Sequence, residues 1–228
     1  MQSILMTGAA GGIGTRMRSL LKNVYPRLRL SDISAPRDLK SDEEFVAADL
    51  ADMAAVEKTV AGVEGIIHLG GFSGEGPWET IHSANIVGCY NLFEAARRAK
   101  VKRVVFASSN HAVGFYPRTR RIGADHRVRP DSRYGVSKAF GEALGSLYAS
   151  KHGMRVTSIR IGNFGRCAGR SATALDLDIA AGSGTAHPHR PRAPRHPLRD
   201  LLRRLRQRAR LVGQCGCVPL RLPADRPQ

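Results

Sequence analysis

Tyr134 and Lys138 stand four residues apart and could together move a proton. On a helix that spacing puts phenol and ammonium on one face. The ammonium's field favours the phenolate, so the tyrosine is expected to act as a base near neutral pH, although a free phenol titrates at about 10. Far upstream, Gly8-Ala9-Ala10-Gly11-Gly12-Ile13-Gly14 has the glycine density that a pyrophosphate needs where a strand turns into a helix. Asp32 follows where a second strand should end, placed to accept hydrogen bonds from ribose hydroxyls. Its charge opposes a 2′-phosphate, which favours NAD over NADP. Ser108-Ser109 adds a strand-end hydroxyl that can steady an alkoxide and the phenol. A glycine-rich turn, a helix-capping Asp32 and a chance Tyr-x-x-x-Lys are the plainer readings of each piece. Their order along the chain favours a nicotinamide-dependent oxidoreductase.

These groups need a scaffold that brings them together, and the hydrophobic pattern supplies one. Short apolar runs at 3–6, 28–30, 45–47, 65–69, 104–107 and 155–159 read as strands, with helices expected at 12–24, through Val56 and Val60, at 82–100 and at 134–151. Strands alternating with helices predict an α/β, doubly wound parallel sheet, the Rossmann fold. Every singled-out residue then falls at the C-terminal end of a strand or on a flanking helix, where such sheets bind ligands.

The chain has 228 residues and a net charge of +17. Residues 1–165 carry 23 basic and 15 acidic side chains, and residues 166–228 carry 13 and 4. All 13 basic residues of the second stretch are arginine, and it holds seven of the 12 prolines but no Phe, Tyr, Trp, Met, Lys, Glu or Asn. Two segments are therefore expected: a Rossmann domain over 1–165, and an Arg/Pro-rich tail over 166–228 that is poorly ordered. The tail's helical Leu198–Leu205 stretch could lie on nucleic acid or a membrane, but the shifted reading frame inferred below argues against nucleic acid as a partner. Cys89, Cys167, Cys215 and Cys217 make no disulfide framework. Neither Cys215-x-Cys217 nor His187-Pro188-His189 fits a closed zinc pattern, so no metal is expected. No apolar run approaches the roughly 20 residues that span a bilayer, and no signal peptide precedes the first strand; a cytoplasmic protein is expected.

Thr7-Gly8-x-x-Gly11-x-x-Gly14, Asp49-Leu50, Asn85 and Tyr134-x-x-x-Lys138 resemble the extended short-chain dehydrogenase/reductases. Within that group, three runs resemble the uronate dehydrogenase family: His68-Leu69-Gly70-Gly71-x-Ser73, Phe106-Ala107-Ser108-Ser109-Asn110-His111 through Tyr116-Pro117, and Arg160-Ile161-Gly162. The resemblance covers about residues 2–165. It implies NAD-dependent oxidation of glucuronate or galacturonate at C1 to an aldaro-lactone. Tyr134 would take the C1 hydroxyl proton, aided by Ser109, while Lys138 lowers its pKa and binds the nicotinamide ribose. Gly8, Gly11, Gly12, Ile13 and Gly14 would carry the pyrophosphate, Asp32 and Ile33 the adenosine ribose, and Asp49 and Leu50 the adenine. Leu69, Gly70, Gly71 and Asn85 would line the cofactor. Ser73, Ser109, Asn110, His111 and Asn163 would hold substrate hydroxyls. Homo-oligomers are a further implication. Two alternatives stay open: a nucleotide-sugar epimerase or dehydratase, and a non-catalytic NAD-binding module whose tail engages a polyanion.

After Asn163-Phe164-Gly165 the resemblance stops. The family continues with an arginine that clamps the substrate carboxylate, then with Trp-Trp-Asp-Asn, and neither is present. Moving the reading frame one base downstream lets Leu211-Val212-Gly213-Gln214 encode Trp-Trp-Asp-Asn, and Ala172 the missing arginine, at the family's spacing. A single-base frameshift near residues 165–168 is the expectation, with substrate binding impaired and the sixth strand left as a poorly covered edge.

Overall fold

The computed structural model describes residues 1–166 and 173–178, with the backbone alone at 163, 165, 166 and 173–178. The chain opens with β1 (Ser3–Thr7), whose five residues are all buried, as a central parallel strand requires. Then come α1 (Gly12–Leu21), β2 (Arg27–Asp32), β3 (Glu44–Ala47), α2 (Met53–Val60) and β4 (Gly65–His68). A helical stretch follows in three parts: α3 (Trp78–Ile81), a π-helical turn (His82–Val87) and α4 (Gly88–Arg98). After β5 (Arg103–Ser109) come a 3₁₀ turn (Asn110–Val113), α5 (Arg133–His152), β6 (Arg155–Arg166) and β7 (Thr173–Asp178).

The sheet order is β3-β2-β1-β4-β5-β6-β7. The first six strands run parallel, so the chain reverses its direction of travel across the sheet between β1 and β4, and a crevice opens there at their C-terminal ends. Thr7 pairs with both Ser31 and His68, and His68 in turn with Phe106. The ends of β1 and β4 therefore lie level across the crevice, and β5 runs three residues further, which carries Ser108 and Ser109 beyond them.

Alternation within β1 shows why both faces are covered. Leu5 joins a core layer with Val56, Leu92, Phe93 and Phe106, whereas Ile4 and Met6 join the opposite layer with Met17, Leu21 and Leu30. Each large apolar side chain so buried contributes roughly 1.5–3 kcal/mol. Phe93 packs between Phe106 and Tyr148, with ring centroids 6.3 and 5.5 Å away. The ends of α5 are specified locally. The Ser132 hydroxyl accepts from the Gly135 N–H at 3.0 Å, and Gly153 closes the helix in the left-handed region at φ +68°.

Three expectations are corrected. The helix expected over 82–100 starts at Trp78 and contains a π turn, which 3.6-residue periodicity does not signal. The sixth strand is not an edge: β7 pairs with it antiparallel, with Ile161 opposite Leu177 and Phe164 opposite Leu175. Open N–H and C=O groups on β6 favour any strand that can reach them, and Thr173–Asp178 alternates leucine with aspartate in the period that suits a strand. Part of the tail expected to be poorly ordered is therefore in the sheet. The rest of 166–228, with its cysteine and histidine pairs and its arginine-rich stretch, lies outside the described residues. Among the described residues no helix is long and apolar enough to cross a membrane, and no group of three or more His, Cys, Asp or Glu could hold a metal.

Candidate active site

At two positions of the β1–α1 turn, Gly8 and Gly14, only backbone fits. Gly8 sits at φ +70°, and a Cβ there would lie 2.7 Å from the Gly70 nitrogen. A Cβ on Gly14 would lie 2.1 Å from the Gly8 carbonyl oxygen, which brings α1 hard against the turn. Gly11 caps α1 without a side-chain acceptor, so the first N–H groups of the helix face the crevice as an anion site. Thr7 Oγ1 accepts from the Gly70 N–H at 3.2 Å and lies 2.8 Å from His68 Nδ1, which locks the β4 turn to the β1 turn. Asp32 is tied to this cradle as well: its carboxylate accepts from the Ala10 N–H at 2.9 Å and the Ile33 N–H at 2.8 Å.

Above the cradle lies a cavity of ≈ 630 Å³. Gly8, Gly11, Gly12, Ile13, Gly14, Asp32 and Ile33 line one end, Leu69, Gly70, Gly71 and Ser73 the side, and Ser109, Asn110, His111, Tyr134 and Lys138 the far end. An adjoining cavity of ≈ 360 Å³ is lined by Asp49 and Leu50 and shares Gly8, Asp32, Ile33, Gly70 and Gly71 with the first. The structure thus brings nearly every residue singled out from the sequence to one continuous crevice. Asn163 lies in β6, and its side chain is outside the described residues.

Asn85 lies outside the linings of these two cavities and acts between elements. Its carbonyl oxygen accepts from the Phe72 N–H at 2.7 Å, and its amide nitrogen donates to the Phe72 carbonyl and the Ser137 hydroxyl, each at 3.0 Å. Ser137 in turn donates to the Tyr134 carbonyl at 2.7 Å. From the π turn, Asn85 therefore braces the β4 loop against the helix that carries the tyrosine.

Lys138 is buried, and its ammonium donates to the Ala107 carbonyl at 3.0 Å. Its nitrogen lies 5.4 Å from the centre of the Tyr134 ring. Burial pushes the amine down to about 8. The phenol differs from expectation: burial pushes Tyr134 above its ordinary value, and the Ser109 hydroxyl beside it pulls the other way. Desolvation of the phenolate thus outweighs the Ser109 hydrogen bond. His68, beneath the crevice, is pushed down to about 3 by burial and by the nearby Lys138. It is a neutral imidazole at any ordinary pH.

Several supporting residues escaped the sequence reading. Glu75 accepts from the Tyr134 N–H at 3.0 Å and from Arg133 Nε at 2.5 Å, which ties the loop after Ser73 to the start of α5. Glu142 accepts from the Ser108 hydroxyl at 2.6 Å and pairs with buried Arg160 at 2.8 Å. Asp131 lies 2.9 Å from His111 Nδ1. Each pairing joins positions far apart in the chain, which no local window of sequence brings together.

A glycine turn at a helix start, a strand-end aspartate and a crevice at the chain-reversal point define a dinucleotide-binding Rossmann domain. The chain belongs to the NAD dependent epimerase/dehydratase family, whose profile matches residues 4–170. It is 50% identical over 163 residues to a uronate dehydrogenase of Agrobacterium fabrum, covering 72% of this chain and 62% of that protein. Two solved structures superpose with a TM-score of 0.66. One is a tyrosine-to-alanine variant of the Agrobacterium tumefaciens uronate dehydrogenase complexed with NAD, 50% identical, covering 68% of this chain and 59% of that one. The other is a glucuronic acid dehydrogenase from Chromohalobacter salexigens, 52% identical, covering 68% and 58%. The chain therefore spans about three fifths of the length of the relatives it matches.

Proposed function

We propose that the chain carries the cofactor half of an NAD-dependent dehydrogenase that oxidises a hexuronate, glucuronate or galacturonate, at C1 to an aldaro-lactone. One observation carries the proposal: Tyr134, Lys138 and Ser109 share a single cavity with the glycine turn and Asp32. The residues fit NAD, because the cradle at Gly8 and Gly14 admits backbone only and the Asp32 carboxylate stands at its rim. NAD, when bound, supplies the hydride acceptor. Gly11 to Gly14 hold the pyrophosphate, Asp32 and Ile33 the adenosine ribose, and Asp49 and Leu50 the adenine. Tyr134 takes the proton of the C1 hydroxyl as hydride leaves C1 for the nicotinamide, so the substrate loses one hydride and one proton as its C–O bond becomes a carbonyl. Lys138 orients the nicotinamide ribose and stabilises charge on the phenol oxygen. Ser109 steadies the developing alkoxide, and Ser73, Asn110, His111 and Asn163 hold the remaining hydroxyls. Holding reactants in register in this way is the larger part of what such a site supplies.

The same proposal includes impairment. Residues 166–228 follow a shifted reading frame and lack the arginine expected to clamp the carboxylate. Cytoplasmic location and homo-oligomerisation belong to the proposal too. The test compares the 228-residue chain with its frame-restored version. NAD titration is expected to show binding by both, and glucuronate turnover to appear only in the restored protein. Equal turnover by the two would reject impairment. A restored protein inert toward both uronates would reject the substrate.

A further inference from the structure

Asp131 belongs to none of the motifs above, yet it meets a residue of the site at close range. It lies in the loop before α5, and its two carboxylate oxygens are 2.9 and 3.1 Å from His111 Nδ1. The Ser132 hydroxyl donates to the same carboxylate at 2.9 Å, and the Asp131 N–H donates to the His111 carbonyl at 3.3 Å. Gly114 closes the other side: a Cβ there would fall 1.9 Å from the carboxylate. The carboxylate is thus fixed from three directions. Burial would push its pKa up, but the bonds from His111 and Ser132 prevail and hold it below the usual range.

A carboxylate only accepts, so the proton of a neutral His111 must sit on Nδ1. That leaves Nε2 as a lone pair, and no hydrogen bond among the described residues uses it. The ring lines the cavity, edge-on to Tyr134 with centroids 5.7 Å apart.

We propose that Asp131 is a positioning residue that holds neutral His111 in its Nδ1–H tautomer, so that Nε2 faces the cavity as a hydrogen-bond acceptor. Resting on the uronate reading, this names the group that His111 takes: a substrate hydroxyl, not the carboxylate, which must be turned toward another part of the site. Without Asp131 the imidazole prefers the opposite tautomer, as it does in water, and would offer a donor where the acceptor is needed.

The test reads the tautomer directly, from ring ¹⁵N resonances of the labelled 228-residue chain at a pH where the imidazole is neutral. His111 is assigned as the signal missing from His111→Gln. The expected result is a proton on Nδ1 in the wild type, kept in Asp131→Asn because the amide oxygen still accepts, and moved to Nε2 in Asp131→Ala. A wild type protonated on Nε2 overturns the proposal, as does an Asp131→Ala that binds NAD and keeps Nδ1–H. If Asp131→Ala does not fold, the wild-type and Asp131→Asn spectra decide. In the frame-restored chain carrying Tyr134→Phe, with NAD present, glucuronate and the carboxylate-free sugar glucose are both expected to move the Nε2 signal toward a bonded acceptor, and acetate is not. An effect of acetate alone, or of neither sugar, overturns the assignment to a hydroxyl. The tautomer is read without substrate, so failure of the uronate assays leaves it standing.

Discussion

A buried amine costs the fold something unless a partner charge arrives, and Lys138 puts that cost beside the tyrosine it serves. Its ordinary pKa of 10.5 falls to about 8 in the folded chain. Between those values the unfolded chain holds a proton that the folded one has shed, so stability rises with pH across that window and is lost as pH falls toward 8. A shift of this size corresponds to roughly 3 kcal/mol. Urea unfolding of the NAD-free protein at stepped pH should therefore show a rise from about 8 to 10.5 that is flattened in Lys138→Met; parallel curves for the two would sink this account of the amine. His68 works the same way at the acid end. Its pKa is pushed down to about 3 from 6.5, so the folded chain refuses a proton that the unfolded one takes, and stability falls as pH drops through that interval. His68→Gln is expected to lose less stability than wild type on acidification from about 6.5, by the same unfolding measurement. Tyr134→Phe, by contrast, should leave NAD affinity within about twofold in a fluorescence titration, since the lost hydroxyl serves the substrate. It should also abolish turnover in the frame-restored protein, and residual turnover near the wild-type rate would remove the phenol from the chemistry.

The elements around these side chains are held in place by braces rather than by contact with any ligand, and Asn85 is the clearest. Its amide satisfies both backbone groups of Phe72 and the Ser137 hydroxyl, so one side chain links the β4 loop, the π turn and α5. Asn85→Ala takes a partner from the partly buried backbone groups of Phe72 and from the buried Ser137 hydroxyl, at roughly 1–3 kcal/mol in all. Chemical denaturation should show a loss within that range. NAD affinity should weaken severalfold, because Gly71, whose Cβ would lie 2.7 Å from the Asn85 oxygen, is no longer held. Unchanged affinity with lowered stability would make the brace structural only. Here lies the division between what the sequence disclosed and what it did not. The six parallel strands, the glycine turn and the Tyr134–Lys138 face were legible, since each is written in local pattern. Asn85, Glu75, Asp131 and the Arg160–Glu142 pair act across strand register or between loops, and no window of sequence brings their partners together. β7 was legible in principle from its alternation, but the composition around it favoured treating the whole tail as foreign.

At the scale of the molecule, the question is how a domain ending at β6 protects its open side. Parallel β6 presents a row of N–H and C=O groups from Arg155 onward, and β7 folds back antiparallel to occupy the stretch from Arg160 to Arg166. The residues that do so come from a tail whose composition departs sharply from that of the first 165 positions. Strand pairing asks little of sequence beyond β-compatible alternation, so a segment of such different composition can still cover an edge. This makes β7 a patch with a measurable effect. A chain stopped after Arg166 keeps the Rossmann core and the two cavities' glycine and tyrosine walls, but leaves that part of β6 unpaired. It is expected to bind NAD while scattering more light with rising concentration than the 228-residue chain. Proline at Leu175 or Leu177, which blocks ladder pairing, should move the full chain in the same direction. Scattering that is identical for the stopped chain, the proline variants and the 228-residue protein would show that β7 gives the edge no protection.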